Sequence, residues 1–471
     1  MNLNCFPVYF IFLFADIVFA GLNRHALETC DTMDIYMSAN MVGTLTHSIS
    51  CNDSAAKTIE QTDISITAGQ GNNMSMHEIR MYDSTGFLSY TCQEMRGPSG
   101  VNIWELKKNK SIWNYTVTVG GNKTQSQISS VNDNFASTRK LILGVKDKTI
   151  KNGETWNDTS FELISGRKTI SKIKCINIDT VNRRCFFSNT DDISGRAETV
   201  MLDSNAQTLE LSFDGIYTAK SKKNHAGAQT GIAESGNSAY ESPDITGMFS
   251  VKADRMVGAG EIIAVKPADS SATLDSSVKE FYLQKNNAWL LRPLPDKCLS
   301  SATLLPYDQI RQWLLPSIAI QSDNREIVKL ADSLRKGEKN SCEIITRLNR
   351  YVYSFLKKRN TPTFSNALET LHAGYGDCGE HSALLAALLR ASGIPAQVVL
   401  GLFYVENKKA YFYHAQVMAY SRQWIFADPT WNVFPSSGKF IPLLIDDTGS
   451  KTIFLSRLIN KLCVEYVKKG D

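Results

Sequence analysis

The sequence predicts an α+β protein: an N-terminal all-β domain, a sandwich or a meander, followed by a C-terminal domain in which a helix carrying a cysteine packs on an antiparallel sheet. Three observations carry this. From about residue 34 to 215 the chain is rich in Thr, Ser, Val, Ile and Asn and alternates over short runs broken by turn residues. After Pro295 the apolar residues change to helical spacing. Near Cys378 a helix-start pattern leads into three strand-like runs. With 471 residues the chain exceeds one ordinary hydrophobic core. The expected division is a leader at 1–20, a β-rich domain at 21–300 and a mixed domain at 301–471.

The leader rests on an apolar stretch from Phe6 to Phe14 and on the ending Val18, Phe19, Ala20, a small-residue cleavage pattern. The stretch is shorter than the ~20 apolar residues a span needs, and none of that length follows. A periplasmic or secreted protein with no integral span after leader removal is therefore expected. Hydrophobic residues make up 43% and charged residues 21%, the composition of an ordinary folded protein rather than a disordered or collagen-like one. Net charge is +4, from 51 Lys+Arg against 47 Asp+Glu, without a block of five like charges. No nucleic-acid partner is expected on that basis.

In the β-rich part, Trp113 to Val119 and Thr208 to Phe213 alternate as strands do, and Gly120, Gly121 and Asn122, or Asn152 and Gly153, mark turns between such runs. Residues 216–245 are polar, rich in Gly, Ser and Asn, and without period, which predicts a long surface loop. Glu261 to Val265 is a further strand. Six N-x-S/T triplets, from Asn52 to Asn157, are glycosylation acceptors only in a eukaryotic secretory pathway. Of ten cysteines, Cys5 lies in the leader and Cys378 at the helix-start pattern, so eight others remain. An oxidising compartment allows up to four disulfides among them, with Cys175 and Cys185, the ends of a hairpin-like excursion, as the expected pair. No C-x-x-C pair exists, so no metal or cofactor is expected.

Two amphipathic helices open the C-terminal domain. One places Ile327, Leu330, Ala331 and Leu334 on one stripe and stops at Gly337; the other places Ile344, Leu348, Val352 and Phe355 together, with Lys357, Lys358 and Arg359 suiting its C-terminus. Next, Gly374 and Gly376 lead to Asp377, a good N-cap, with Glu380 three residues on in a capping-box pattern. A helix should begin at Cys378, bury Leu384, Leu385, Leu388 and Leu389, and stop at Gly393 and Pro395. First-turn N–H groups and the helix dipole lower a thiol's pKa there, and Asp377 opposes them. Strands follow at Val398 to Tyr404, Tyr411 to Tyr420 and Gln423 to Asp428, the last two joined by a turn at Ser421 and Arg422. That hairpin sets His414 and Asp428 on adjacent strands, and a reactive cysteine needs such a base and a residue to hold it. His381, three residues after Cys378, gives a C-x-x-H pair without a third ligand and reads as a residue bonded within the helix.

In this order, the segments GDCGEHSALLAALLRASGIPAQVVLG, YHAQVMAY and WIFADPTW resemble the transglutaminase-like superfamily over roughly 340–445, most closely its exported bacterial members with an N-terminal β-rich region. The resemblance implies a papain-like core with Cys378 as nucleophile, His414 as general base and Asp428 as the residue orienting it. Where the family commonly has His-Ala-Trp, this chain has His414, Ala415 and Gln416. The implied chemistry is attack on an amide or ester carbonyl of a peptide or protein substrate through a thioester, with the Cys378 backbone N–H as an oxyanion donor. Hydrolysis is favoured by that likeness. A cross-linking transglutaminase and a catalytically inactive binding or scaffold protein of the envelope are the alternatives.

Overall fold

The computed structural model describes residues 28–222 and 249–468, apart from 38–39, 53–56, 69–71, 98–99, 120–121, 164–165, 193–196, 214–216, 259–260, 269–271, 300–309, 318, 360–365, 437–438 and 448–451. The leader at 1–20 and most of the loop expected at 216–245 lie outside these residues. The chain divides into two compact units, one reaching Ile245 and the other running from Thr246 to Asp471.

The first unit is one fourteen-stranded antiparallel sheet, a meander rather than a sandwich of two sheets. Its first run is β1 (Thr29–Met37), β2 (Asn40–Asn52), β3 (Lys57–Ala68), β4 (Asn72–Tyr82), β5 (Leu88–Gly97), β6 (Gly100–Asn109), β7 (Ile112–Val119) and β8 (Asn122–Ile128). After helix α1 (Ala136–Lys146) comes a second run: β9 (Thr155–Glu162), β10 (Arg167–Asp179), β11 (Arg184–Asp191), β12 (Ala197–Asp203), β13 (Thr208–Phe213) and β14 (Tyr217–Ser221). Antiparallel pairing of β1 with β14, Met33 opposite Ser221, joins the two runs. Tyr217 to Ser221, assigned to the loop from sequence, is thus a strand, because alternate residues of it are buried between β1 and β13. On β1 itself Met33, Ile35 and Met37 are buried, the period of two that puts every second residue on the inner face.

A sheet this long leaves two edges, β8 and β9, and side chains manage the second of them. Tyr115 of β7 donates its O–H to the Leu163 carbonyl just past β9. The Phe161 N–H on β9 donates to Asp133 Oδ2 (3.0 Å), which also accepts from Arg80 Nη1 (3.0 Å), while Arg80 Nε donates to Glu78 Oε1 (2.7 Å). The sheet therefore curls until β9 meets side chains from β4 and β7. Burial outweighs Arg80 and the Phe161 N–H and pushes Asp133 up to about 7.

Cys298 and Cys342 form a disulfide; Cys175 and Cys185, the expected pair, are both free. On the antiparallel ladder Cys175 faces Phe187 and Cys185 faces Ile178. Offset cross-strand positions are farther apart than a disulfide spans.

The second unit holds a sheet of order β15 (Val251–Lys252), β22 (Ala410–Ser421), β21 (Ala396–Val405) and β24 (Phe440–Ile445), with β23 (Gln423–Ala427) also on β22. A second sheet runs β17 (Tyr282–Lys285), β18 (Ala288–Leu291), β16 (Glu261–Pro267), β25 (Leu462–Lys468). Strands between 251 and 291 thus pair among themselves and with C-terminal strands. The helices are α2 (Arg325–Arg335), α3 (Ser341–Phe355), α4 (Ala367–Ala373) and α5 (Cys378–Ala391). Asn324, Asn340 and Asn366 cap the first three by accepting from backbone N–H groups. Small residues and leucines let α5 bury its whole length from Cys378 to Arg390, with α2, α3 and α4 around it and β21 and β22 beneath. The basic run after α3 does not extend that helix. Lys357 and Lys358 form β19, paired in parallel with Tyr375 and Gly376 of β20, so this run lies beside the approach to Cys378. Among the described residues no helix is long and apolar enough to cross a membrane.

Candidate active site

The site begins with a helix start. Asp377 Oδ1 accepts from the Gly379 N–H (2.8 Å), and Glu380 Oε2 accepts from the Asp377 N–H (3.0 Å), completing the capping box read from the sequence. Gly376 is required by that box: a Cβ there would lie 2.4 Å from the Cβ of Glu380. Cys378, the first residue of α5, is only 5% exposed. Its thiol takes a hydrogen bond from the backbone N–H of Ala415, the residue after His414.

Burial, followed by the Asp377 carboxylate, pushes the Cys378 thiol well above its ordinary pKa. The Ala415 N–H opposes this, while Glu380 and Asp428 add to it. The lowering expected of a helix N-terminus is outweighed because a buried sulfur loses the water that would solvate its charge.

His414 sits in the middle of β22 opposite Gly401 of β21. Gly401 has no room for a side chain: a Cβ would lie 2.2 Å from the Ile441 carbonyl oxygen and 2.7 Å from the Phe440 ring. His414 Nε2 lies 2.9 Å from Asp428 Oδ2. A carboxylate only accepts, so Nε2 carries the proton and Nδ1 is the free nitrogen.

Asp428 is wholly buried and meets four donors. Oδ1 accepts from the Thr430 N–H (2.9 Å) and the Trp431 N–H (3.1 Å); Oδ2 accepts from His414 and from Gln416 Nε2 (3.1 Å). Such a ring of donors fixes the position of the carboxylate. The chain turns just after Asp428, held by paired backbone bonds between Asp428 and Val433 (2.9 and 3.0 Å).

Gln416 is the residue that reading the sequence missed. It forms a bridge: Nε2 donates to Asp428, and Oε1 accepts from the Ser436 O–H (2.5 Å). The available signal was its spacing, since Gln416 follows His414 by two residues on a strand and so shares its face.

The other candidates settle as follows. His381 is fully buried and donates Nδ1–H to the Asp377 carbonyl (2.6 Å). Burial lowers its pKa, so it is a neutral ring whose Nε2 has no partner among the described residues. His372, in the last turn of α4, bonds Glu326 (2.9 Å). Trp424 packs on Trp313 and Tyr420, while Trp431 lies under Lys358, whose Nζ is 4.0 Å from the ring centroid. Among the described residues no three His, Cys, Asp or Glu side chains sit close enough to share a metal ion.

The family model described as the transglutaminase-like superfamily matches residues 328–429. No curated protein sequence matches the chain. Among solved structures, a candidate cysteine protease from Cytophaga hutchinsonii is 21% identical over 35% of this chain, with a TM-score of 0.28, and this chain spans 57% of its length. A candidate protease from Parabacteroides distasonis is 9% identical over 79% of this chain and 63% of its own, with a TM-score of 0.20. A β-barrel-like protein of unknown function from Brucella abortus is 9% identical over 44% of this chain and 97% of its own, with a TM-score of 0.31.

Proposed function

We propose, from the premise that residues 328–429 form a transglutaminase-like core, that this protein is an exported cysteine-dependent enzyme attacking the amide or ester carbonyl of a peptide or protein substrate. Cys378, His414 and Asp428 act as nucleophile, general base and orienting residue. The observation that carries the reading is the His414 to Asp428 bond, together with the Cys378 thiol on the Ala415 N–H.

The chemistry follows from the protonation states. At rest the thiol keeps its proton, and His414 Nε2–H donates to Asp428. As the sulfur attacks the carbonyl carbon, its proton passes to His414 Nδ1, and Asp428 stabilises the imidazolium that forms. The Cys378 N–H, in a first turn that offers it no helical acceptor, meets the developing oxyanion. The imidazolium then gives its proton to the leaving amine or alcohol, which departs and leaves a thioester. Water, deprotonated by His414, attacks the thioester, releasing a carboxylic acid and the thiol. An amine in place of water would make the same intermediate a cross-linking reaction; hydrolysis is the reading preferred here. The Cys298–Cys342 disulfide supports an oxidising compartment, periplasmic or secreted.

Iodoacetamide labelling at pH 6–7 with peptide mapping tests the reading. Cys378 should alkylate faster than the other thiols, and His414→Ala should slow it by roughly a hundredfold or more. The burial of Cys378 favours one second reading, a binding protein of the envelope that has lost catalysis. Slow labelling of Cys378, unchanged in His414→Ala, would decide for it.

A further inference from the structure

The basic run Lys357, Lys358 and Arg359 has no place in the mechanism above, although β19 lies against β20 two residues before Cys378. Lys358 is exposed, and its ammonium covers the rings of Trp431 (4.0 Å to the centroid) and Tyr353 (5.1 Å). Arg359 covers Tyr375 at 4.7 Å. Neither cation touches a carboxylate among the described residues. The nearby acids are already engaged: Asp428 by four donors, and Asp377 and Glu380 by the capping box.

An exposed ammonium that touches no carboxylate among the described residues is suited to take the carboxylate of a ligand. Resting on aromatic faces, the ammonium is held in place without being neutralised. Its charge is felt at the site: partial desolvation on the aromatic seat lowers Lys358, and the nearby Asp428 opposes this.

We infer that Lys358, seated on Trp431, is a specificity-determining residue that binds a carboxylate of the substrate close to the carbonyl attacked by Cys378, so that the preferred substrate is an acidic peptide. This deepens the reading given under Proposed function and rests on it. Lys358 supplies the charge, and Trp431 supplies its seat.

Two alkylating reagents of nearly equal size test the inference, because iodoacetate carries a carboxylate where iodoacetamide carries an amide. The ratio of their rates at Cys378 reads the carboxylate site directly. In Lys358→Gln the iodoacetate to iodoacetamide ratio should fall about three- to tenfold, the factor a unit charge ~6 Å away contributes at effective dielectrics of ~80 to ~40. Lys358→Arg should keep the ratio within twofold, and 0.5 M salt should lower the wild-type ratio toward the Gln variant. A ratio unchanged in Lys358→Gln, with Cys378 still labelling selectively, overturns the carboxylate site and leaves the acyl-transfer reading standing. Failure of both reagents to label Cys378 selectively in the wild type overturns that reading, and the inference with it.

Discussion

Asp428 and Gln416 show how much of this site depends on single atoms. Asp428 places one oxygen on His414 and shares it with Gln416, so the carboxylate is held in position before any substrate arrives. In Asp428→Asn an amide takes the carboxylate's place, and the amide can meet Nε2 with an N–H. The imidazole is then driven to the wrong tautomer, and turnover of a peptide ester should fall about 10³- to 10⁴-fold with little loss of fold, checked by steady-state kinetics beside circular dichroism. Gln416→Leu is a different kind of change. It leaves the buried Ser436 O–H and one Asp428 lone pair unpartnered, at about 1–3 kcal/mol by urea unfolding, and it loosens the orientation of Asp428. Selective labelling of Cys378 should persist in Gln416→Leu at a reduced rate; a rate equal to that of the wild type would remove Gln416 from any positioning role.

At the level of whole elements, the N-terminal sheet depends on how its β9 edge is met. Arg80 is held by two carboxyl groups, Glu78 and Asp133, and a single guanidinium cannot balance both in a buried place. Desolvation pushes Asp133 up to about 7 and half-buried Asp158 up to about 6, and is the main cause in each case. The sign follows from proton counting. Both groups bind protons more tightly folded than unfolded, so their stabilisation is complete below the ordinary aspartate range near 4 and is lost as pH rises through 6 and 7. Thermal unfolding followed from pH 5 to 8 should show the melting temperature of this unit falling. Asp133→Asn keeps an oxygen for Arg80 and Phe161 but cannot ionise, and should flatten that fall; an equally steep fall would mean that Asp133 is charged throughout.

Across the whole molecule, the cysteines report on compartment and chemistry together. Among the described residues one disulfide is formed, and seven other cysteines carry thiols outside it. Cys30 and Cys463 are exposed and should alkylate in the native protein as ordinary thiols. Cys175 is buried, with its thiol pushed up to about 11 by burial, and should stay unlabelled until the sheet opens. Alkylation in denaturant without reductant, read by peptide mass mapping, should therefore modify every cysteine of the described residues except Cys298 and Cys342. Protection of Cys175 and Cys185 in that experiment would restore the hairpin disulfide that the ladder register argues against.

By itself the sequence determined whatever depends on neighbours along the chain. The capping box from Asp377 to Glu380 set the start of the cysteine helix, the period of two marked Thr208 to Phe213 as a strand, and Ser421 with Arg422 turned β22 back on β23. Local rules suffice there because each element satisfies its own backbone. Tertiary structure decided what depends on partners distant in sequence. Burial by three helices and two strands, rather than position in the first turn, governs the Cys378 thiol. The hydrogen bonds of Gln416 reach residues 12 and 20 positions away, and Lys358 left its helix for a strand because Gly376 offered a backbone partner. The disulfide joins cysteines 44 residues apart, a pairing no spacing rule selects, because only the folded chain brings those two sulfurs together.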